Sequence, residues 1–428
     1  MKKYLILISG FLLLLSCGNG EKAIKAELLG KIQKNESIIY TKEKALEIVK
    51  TGFNAGDGYA EVWIRDYNTF IELAGLVYPA EELKENLLVF FRMQGDDGNI
   101  IDGFTPRKDT VIRYDFIYTD KEPRYAGHKN TVETDQETSL VQAVYKYIRA
   151  TGDQSILKEQ VFGMSVGQRL EYAMDYLMQN RYSEKYGLLW GATTADWGDV
   201  QPEHDWGVEL DENTHRAIDI YDNAMMLIAL KNLEEMLPEA KAKWAPIRER
   251  IAENCRKHLW DSEKQKFIPH IYLEGSPFPA DFDEENIYYF GGTAIAIEAG
   301  LLSKREIKAS LNEMVSRVKQ AGTASIGLTL YPVYPDGFFK NPGMKAYSYQ
   351  NGGDWTWFGA RMIEQLAANG FPQEAYEQLL PMTERVLKDK GFYEWYTVEN
   401  EPRGSGTFRG SAGVLYSAIS TLENNLSK

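Results

Sequence analysis

The stretch YSYQNGGDWTW (347–357), FGARMIEQLAAN (358–369), GFP (370–372), QEAYEQLLPMTERVLKD (373–389) carries the pattern from which the fold is read. A loop dense in amides, glycines and indoles leads into a helix predicted over 353–369. Gly370 and Pro372 then break the chain, and a second helix is predicted over 371–389. The same beat recurs outward in both directions. Helices are predicted at 42–52, 66–78, 79–94, 135–151, 155–180, 218–236, 239–259, 290–300, 303–320 and 409–425. In 135–151 the apolar side chains Leu140, Val141, Val144, Tyr147 and Ile148 fall at helical spacing, and in 218–236 Met226, Ala229, Leu230 and Leu233 do the same. Strand-like runs are few, around Phe267 to Tyr272 and Leu328 to Val333. Short turns such as Tyr78-Pro79 and Thr151-Gly152-Asp153 alternate with long, residue-rich connections. Paired helices ringed about one axis would gather those long connections on one rim, so the expected fold is all-α, an (α/α)6 barrel with few short strands in its loops. An irregular helical bundle fits the helix count equally well. It does not explain why acids and aromatics alternate with plain turns.

Composition narrows the function. The chain has 428 residues, a formal charge of −14 and two cysteines, Cys17 and Cys255. That excludes a disulfide scaffold and a cysteine-based metal site. It also argues against a nucleic-acid binder, which needs a basic face. With Tyr 26, Phe 18 and Trp 9 beside the acidic charge, a neutral, polyhydroxylated ligand fits better than a polyanion. At the start, Lys2 and Lys3 precede an apolar run from Tyr4 to Leu15, too short to span a bilayer. Leu14-Leu15-Ser16-Cys17 resembles a bacterial lipobox. The expectation is a signal peptide over 1–16, lipidation of Cys17, and a tether over 17–38 before a single catalytic domain over 39–428. This places the protein in the bacterial cell envelope, lipid-anchored and facing the periplasm or the cell surface. Cys255 is expected in the core.

The long connections hold the unusual residues. Trp63-Ile64-Arg65-Asp66 sets an indole, a guanidinium and a carboxylate at a helix start, and Glu133-Thr134-Asp135-Gln136-Glu137 crowds three acids at another. Capping accounts for one or two of these acids, not for all. In Thr194-Ala195-Asp196-Trp197-Gly198-Asp199 two carboxylates flank an indole, which can desolvate a carboxylic acid and raise its pKa. Glu394 stands alone among Phe392, Tyr393, Trp395 and Tyr396, a costly place for an acid unless it is paired or working. Two carboxylic groups with aromatic platforms suit cleavage of a glycosidic bond. No serine-nucleophile motif, phosphate-binding glycine loop or HExxH stands against this.

Taken in order, Trp63 to Asp66, Ala195 to Trp197, Tyr349 to Gly353 and Glu394 to Tyr396 resemble the six-hairpin glycosidases, most closely the trehalase, processing α-glucosidase and neutral invertase group. The resemblance implies a glycoside hydrolase that inverts configuration, exo-acting on α-linked gluco-oligosaccharides. By that resemblance Asp196 is the expected general acid, with Asp199 the competing candidate, and Glu394 is the expected base. Trp63, Arg65, Asp66, Asp135, Gln136, Trp197, Asp199, Tyr349, Gln350, Asn351, Trp355 and Arg409 are the expected substrate-binding residues. No cofactor or metal is predicted, although calcium would suit the acidic loops. The expected partner is an oligosaccharide or glycan; the membrane is met only through the lipid anchor, nucleic acid is not bound, and the protein is a monomer. Alternatives on the same toroid are a sugar 2-epimerase, which would draw on histidines such as His204 and His215, and a sugar phosphorylase. A glycan-binding lipoprotein without activity is the third.

Overall fold

A helix that is apolar all round must be covered on every side, whereas one with a single apolar stripe can lie outermost. The two kinds alternate along this chain. In α7 (Ile220–Met236) every residue from Ile220 to Leu230 is buried, and in α9 (Phe290–Glu298) every residue from Phe290 to Ile297 is. By contrast α10 (Lys304–Ala321) buries Ile307, Ser310, Leu311 and Met314, one stripe, and α12 (Pro372–Asp389) buries Ala375, Leu379, Met382 and Val386. The computed structural model describes residues 22–110 and 115–428. The predicted signal peptide and Cys17 lie outside the described residues.

The remaining helices are α1 (22–34), α2 (Glu36–Val49), α3 (Ile64–Ala74), α4 (Ala80–Arg92), α5 (Gln136–Thr151), α6 (Val166–Asn180), α8 (Lys241–Asn254), α11 (Thr356–Ala368) and α13 (Arg409–Ser427). Helices α3, α5, α7, α9, α11 and α13 each pack on the next, and α13 closes on α3. The even-numbered helices α2 to α12 lie outside them. This is the expected (α/α)6 barrel. The connections 50–63, 93–135, 181–219, 255–289, 322–355 and 390–408 all enter the N-terminal ends of inner helices, so they share one rim. Short ribbons pin them. Val62–Trp63 pairs with Gly103–Pro106, which pairs with Tyr125–His128. Trp395–Tyr396 pairs with Pro402–Arg403, and Asp354 bridges to Tyr396, tying two rim loops together. Beneath them the Asp354 carboxylate takes two bonds from the buried Arg385 guanidinium, at 2.9 and 2.6 Å.

Two expectations are corrected. The stretch predicted as tether contains α1, whose Leu28 and Ile32 are buried, and α2 starts at Glu36 because the Asn35 side chain accepts from the Ile38 amide. The helix predicted over 155–180 begins only at Val166. Phe162 and Gly163 take positive φ in a hairpin turn between Gln160–Val161 and Met164–Ser165, and Ser165 with Gln168 forms the capping box. Cys255 is buried. Among the described residues no helix is long and apolar enough to cross a membrane.

Ring closure depends on close backbone contact between α13 and α3. A Cβ at Gly413 would collide with the Thr69 carbonyl oxygen and the Phe70 backbone. Gly413→Ala is therefore expected to cost about 1–3 kcal/mol, read as a lower midpoint in denaturant unfolding.

Candidate active site

The rim loops enclose a cavity of about 300 Å³. Its walls are largely aromatic: Tyr59, Trp63, Trp197, Tyr349, Trp355, Trp357 and Phe408. Trp197 stacks on Phe358 with centroids 4.3 Å apart and meets Trp355 and Trp357 edge-on at 5.0 and 5.5 Å. Trp355 donates its indole N–H to the Tyr349 carbonyl at 2.9 Å. These rings hold one another, so the walls are formed in advance of any ligand.

Carboxylates project between the rings. Asp66, in the first turn of α3, is 7% exposed and its Oδ1 has no partner within the described protein. Burial pushes its pKa up to about 8, and burial pushes Asp102 up to about 7. Glu394 is also raised, first by burial; the Tyr59 hydroxyl and the Ser405 amide, the latter at 3.1 Å, donate to it and work the other way. A Cβ at Gly404 would overlap the Glu394 carboxyl, so glycine there makes its room. Asp199 is held by reciprocal bonds: Gln350 Nε2 donates to Asp199 Oδ1 at 2.7 Å, and the Asp199 amide donates to Gln350 Oε1 at 3.2 Å. Asp199 enters from the loop before α7 and Glu394 from the loop before α13. These loops stand opposite each other in the six-membered inner ring.

Among the described residues one cation, Arg65, lies in the cavity wall. Arg65 pairs with Glu133 and, through Nε, with Asp135 Oδ2 at 2.8 Å; its Nη1 donates to the Trp197 carbonyl at 3.3 Å. Asp135 also accepts from the Tyr221 hydroxyl at 2.6 Å.

The predicted site residues divide in two. Trp63, Arg65, Asp66, Trp197, Asp199, Tyr349, Gln350, Trp355 and Glu394 line the cavity. Asp196 does not. Its backbone takes φ +56°, which turns the carboxylate to the N-terminus of α9, where Oδ2 and Oδ1 accept the Gly291 and Gly292 amides at 2.6 and 2.7 Å. The assignment of Asp196 as the acid is thereby corrected: it caps a helix, and Asp199 is the carboxylate of that loop that reaches the cavity. Asp135 lies behind Arg65. Gln136 is buried on the Asn130 carbonyl and Glu133. Asn351 is buried on the Tyr334 and Met344 backbone, and Arg409 bonds Asn54 and Thr51 below the rim. Gln136 and Asn351 brace their own connections, Arg409 ties the start of α13 to the connection 50–63, and none of the three lines the cavity.

The cavity also contains Asp102, His128, Asn130 and Trp206, which sequence reasoning missed. Trp206 repeats the acid–indole pattern of 196–199 and was findable on that signal. Asp102 was not; backbone bonds from the Ile64 amide and to the His128 carbonyl bring it in. Burial holds His128 down at about 4, hence neutral. His204 and His215 instead pair with Asp211 and Glu203, at 2.8 and 2.6 Å. Among the described residues no group of three or more His, Cys, Asp or Glu is arranged to hold a metal ion.

No family model matches the chain, and no curated protein matches it in sequence. Solved structures do match in shape. A mannosylglycerate hydrolase of glycoside hydrolase family 63 from Thermus thermophilus, in complex with glucose, superposes with a TM-score of 0.62 at 16% identity, covering 88% of this chain and 99% of that one. A rhamnosidase from Klebsiella oxytoca with rhamnose bound gives 0.59 at 11% identity, over 90% of this chain and 63% of that one. A family 78 rhamnosidase of a Bacillus species gives 0.58 at 14%, over 90% and 34%. At these identities the likeness is one of fold: the chain shares the (α/α)6 architecture of these glycosidases. The trehalase and invertase group is not singled out among these structures.

The Asp196 geometry yields a stability test. Asp196→Ala orphans two buried amides at the start of α9, so unfolding free energy is expected to fall by about 2 kcal/mol in denaturant titration.

Proposed function

We propose that the protein is a glycoside hydrolase in which Asp199 is the general acid and Glu394 the general base of a single, inverting displacement. The observation that carries this is the pair of carboxylates reaching one aromatic-walled cavity from opposite loops of the ring. In the proposed step Asp199 protonates the glycosidic oxygen as the bond to the anomeric carbon breaks. Glu394 takes a proton from the water that attacks that carbon. The two donors on Glu394, Tyr59 and Ser405, favour its carboxylate form and so suit a base. Aromatic faces are platforms for the apolar faces of sugar rings, and Asp66, with its unpartnered oxygen, is placed to bind a hydroxyl. The sequence resemblance favours exo action on α-linked gluco-oligosaccharides. Of the solved neighbours, the mannosylglycerate hydrolase is described with glucose, and separately with glycerate, which agrees with a sugar ligand for this fold. Attachment to the cell envelope through lipidated Cys17 is part of the same proposal and rests on the lipobox-like segment.

A screen of α- and β-linked disaccharides with product anomers read by NMR tests the reaction class. Release of a sugar in inverted form is expected; interconversion without release, or turnover only with phosphate, would defeat it. Asp199→Asn and Glu394→Gln are each expected to lower kcat by about 10²- to 10⁴-fold while circular dichroism stays unchanged. With a dinitrophenyl glycoside, whose leaving group needs no proton, Asp199→Asn is expected to recover most of its rate and Glu394→Gln none. Equal recovery of both would reverse or void the role assignment.

The pH profile adds a second prediction. The Tyr59 hydroxyl lowers the pKa of Glu394, and the base works only when ionised. Tyr59→Phe removes that donor and lets the Glu394 pKa rise, so the acidic limb of kcat/KM against pH is expected to move to higher pH.

A further inference from the structure

The reciprocal bonds between Gln350 and Asp199 fix the role of each atom in them. A backbone N–H can only donate, so the Gln350 atom that meets the Asp199 amide at 3.2 Å is its oxygen, Oε1. The atom that meets Asp199 Oδ1 at 2.7 Å is therefore the nitrogen, Nε2, which also can only donate. Oδ1 is thus an acceptor in either proton state of Asp199. In a neutral carboxyl group the carbonyl oxygen accepts better than the hydroxyl oxygen, so the carbonyl lies at Oδ1 and the proton on Oδ2. Oδ2 takes no hydrogen bond from the described residues, and Asp199 lines the cavity half-buried.

The turn around this pair is pinned. The Asn130 side chain donates to the Asp199 carbonyl at 3.1 Å, and the Gly198 amide donates to the Ala195 carbonyl at 3.1 Å. A Cβ at Gly198 would come within 3.0 Å of Gln350 Oε1 and 2.9 Å of the Ala195 carbonyl oxygen, so glycine leaves the space that the Gln350 amide fills. Gln350 itself is buried, and its neighbour Asn351 is held on the Tyr334 and Met344 carbonyls. Gln350 is expected from sequence to bind substrate; its Oε1 and one N–H are engaged on Asp199 instead.

We infer that Gln350 is a positioning residue for the general acid, holding the transferable proton on Asp199 Oδ2 so that it leaves from one side of the carboxyl group. The inference rests on the hydrolase reading above. In the step the Oδ2–H bond breaks and the proton joins the glycosidic oxygen, which takes the electron pair of the breaking bond to the anomeric carbon. Asp199 is left as a carboxylate. The Gln350 N–H already on Oδ1 meets the charge that appears there, and a hydrogen bond to an ionised acceptor is the stronger kind.

Two substitutions separate placing the proton from bracing the loop. Gln350→Met removes both bonds. Gln350→Glu keeps an oxygen on the Asp199 amide but sets a second oxygen against Oδ1, so that the two carboxyl groups share a proton between them and away from Oδ2. On the disaccharide that the parent cleaves fastest in the screen above, each variant is expected to lower kcat about 10- to 100-fold, with KM changed less than about threefold. On the dinitrophenyl glycoside of the same sugar, whose leaving group needs no proton, the loss is expected to shrink to about threefold. In the Asp199→Asn background neither substitution is expected to lower the disaccharide rate further, because Gln350 acts through Asp199. Parent-like turnover by Gln350→Glu would leave bracing as the whole role of Gln350 and overturn the inference, with the hydrolase reading intact. Equal losses on the two substrates, or losses that add to that of Asp199→Asn, overturn it in the same way. A parent chain that cleaves no glycoside of the screen overturns both.

Discussion

A buried guanidinium needs its charge answered, and in this molecule the answer is what assembles the site. Arg65 leaves the first turn of α3 and meets Glu133 and Asp135 ahead of α5, and the Trp197 carbonyl ahead of α7. Two consecutive rim loops are thereby fastened to one side chain of α3. Removing one partner of such a group leaves an uncompensated buried charge, which costs far more than the pair contributes. The loops therefore have one arrangement that satisfies Arg65, and the aromatic walls, the Asp199 turn and the position of Asp66 follow from it. The Tyr221 hydroxyl on Asp135 carries the same constraint into α7.

Much of the fold was legible because helix burial writes itself into composition. An inner helix such as α9 is apolar on all faces, an outer one such as α10 on one, and the breaks at Gly152, Gly322 and Gly370 stand at positive φ where other residues strain. The N-terminal helix was illegible as part of the fold, since Leu28 and Ile32 make only a sparse stripe and their burial depends on the surface they meet. The hairpin before α6 was missed for a related reason. Four residues of ribbon have too little periodicity to compete with the helical pattern that follows them.

The site was half legible. Local pattern placed Trp63, Asp66, Trp355 and Glu394 in chemistry-bearing loops, because aromatics beside acids are unusual in a turn. It could not choose between Asp196 and Asp199. Both flank Trp197, and the choice is made by Gly291 and Gly292, remote in sequence, where the absence of side chains opens the start of α9 to a carboxylate. Likewise nothing local distinguishes Gln350, which holds Asp199, from its neighbour Asn351, which holds the Tyr334 and Met344 backbone. Polar residues of one loop thus split between reaching the cavity and fastening its walls according to partners the loop itself does not name.

The cavity also sets a cost that the rest of the fold must carry. Asp66 and Asp102 are pushed up by burial, to about 8 and about 7, so the native state holds protons that the unfolded chain releases between the ordinary aspartate range and those values. Stability from these two groups accordingly falls as pH rises through that window. The same shift gives Asp66 and Asp102 both proton states near neutral pH, donors as well as acceptors toward hydroxyls. A hydroxyl needs both, whereas an anion needs neither more acceptors nor more negative charge.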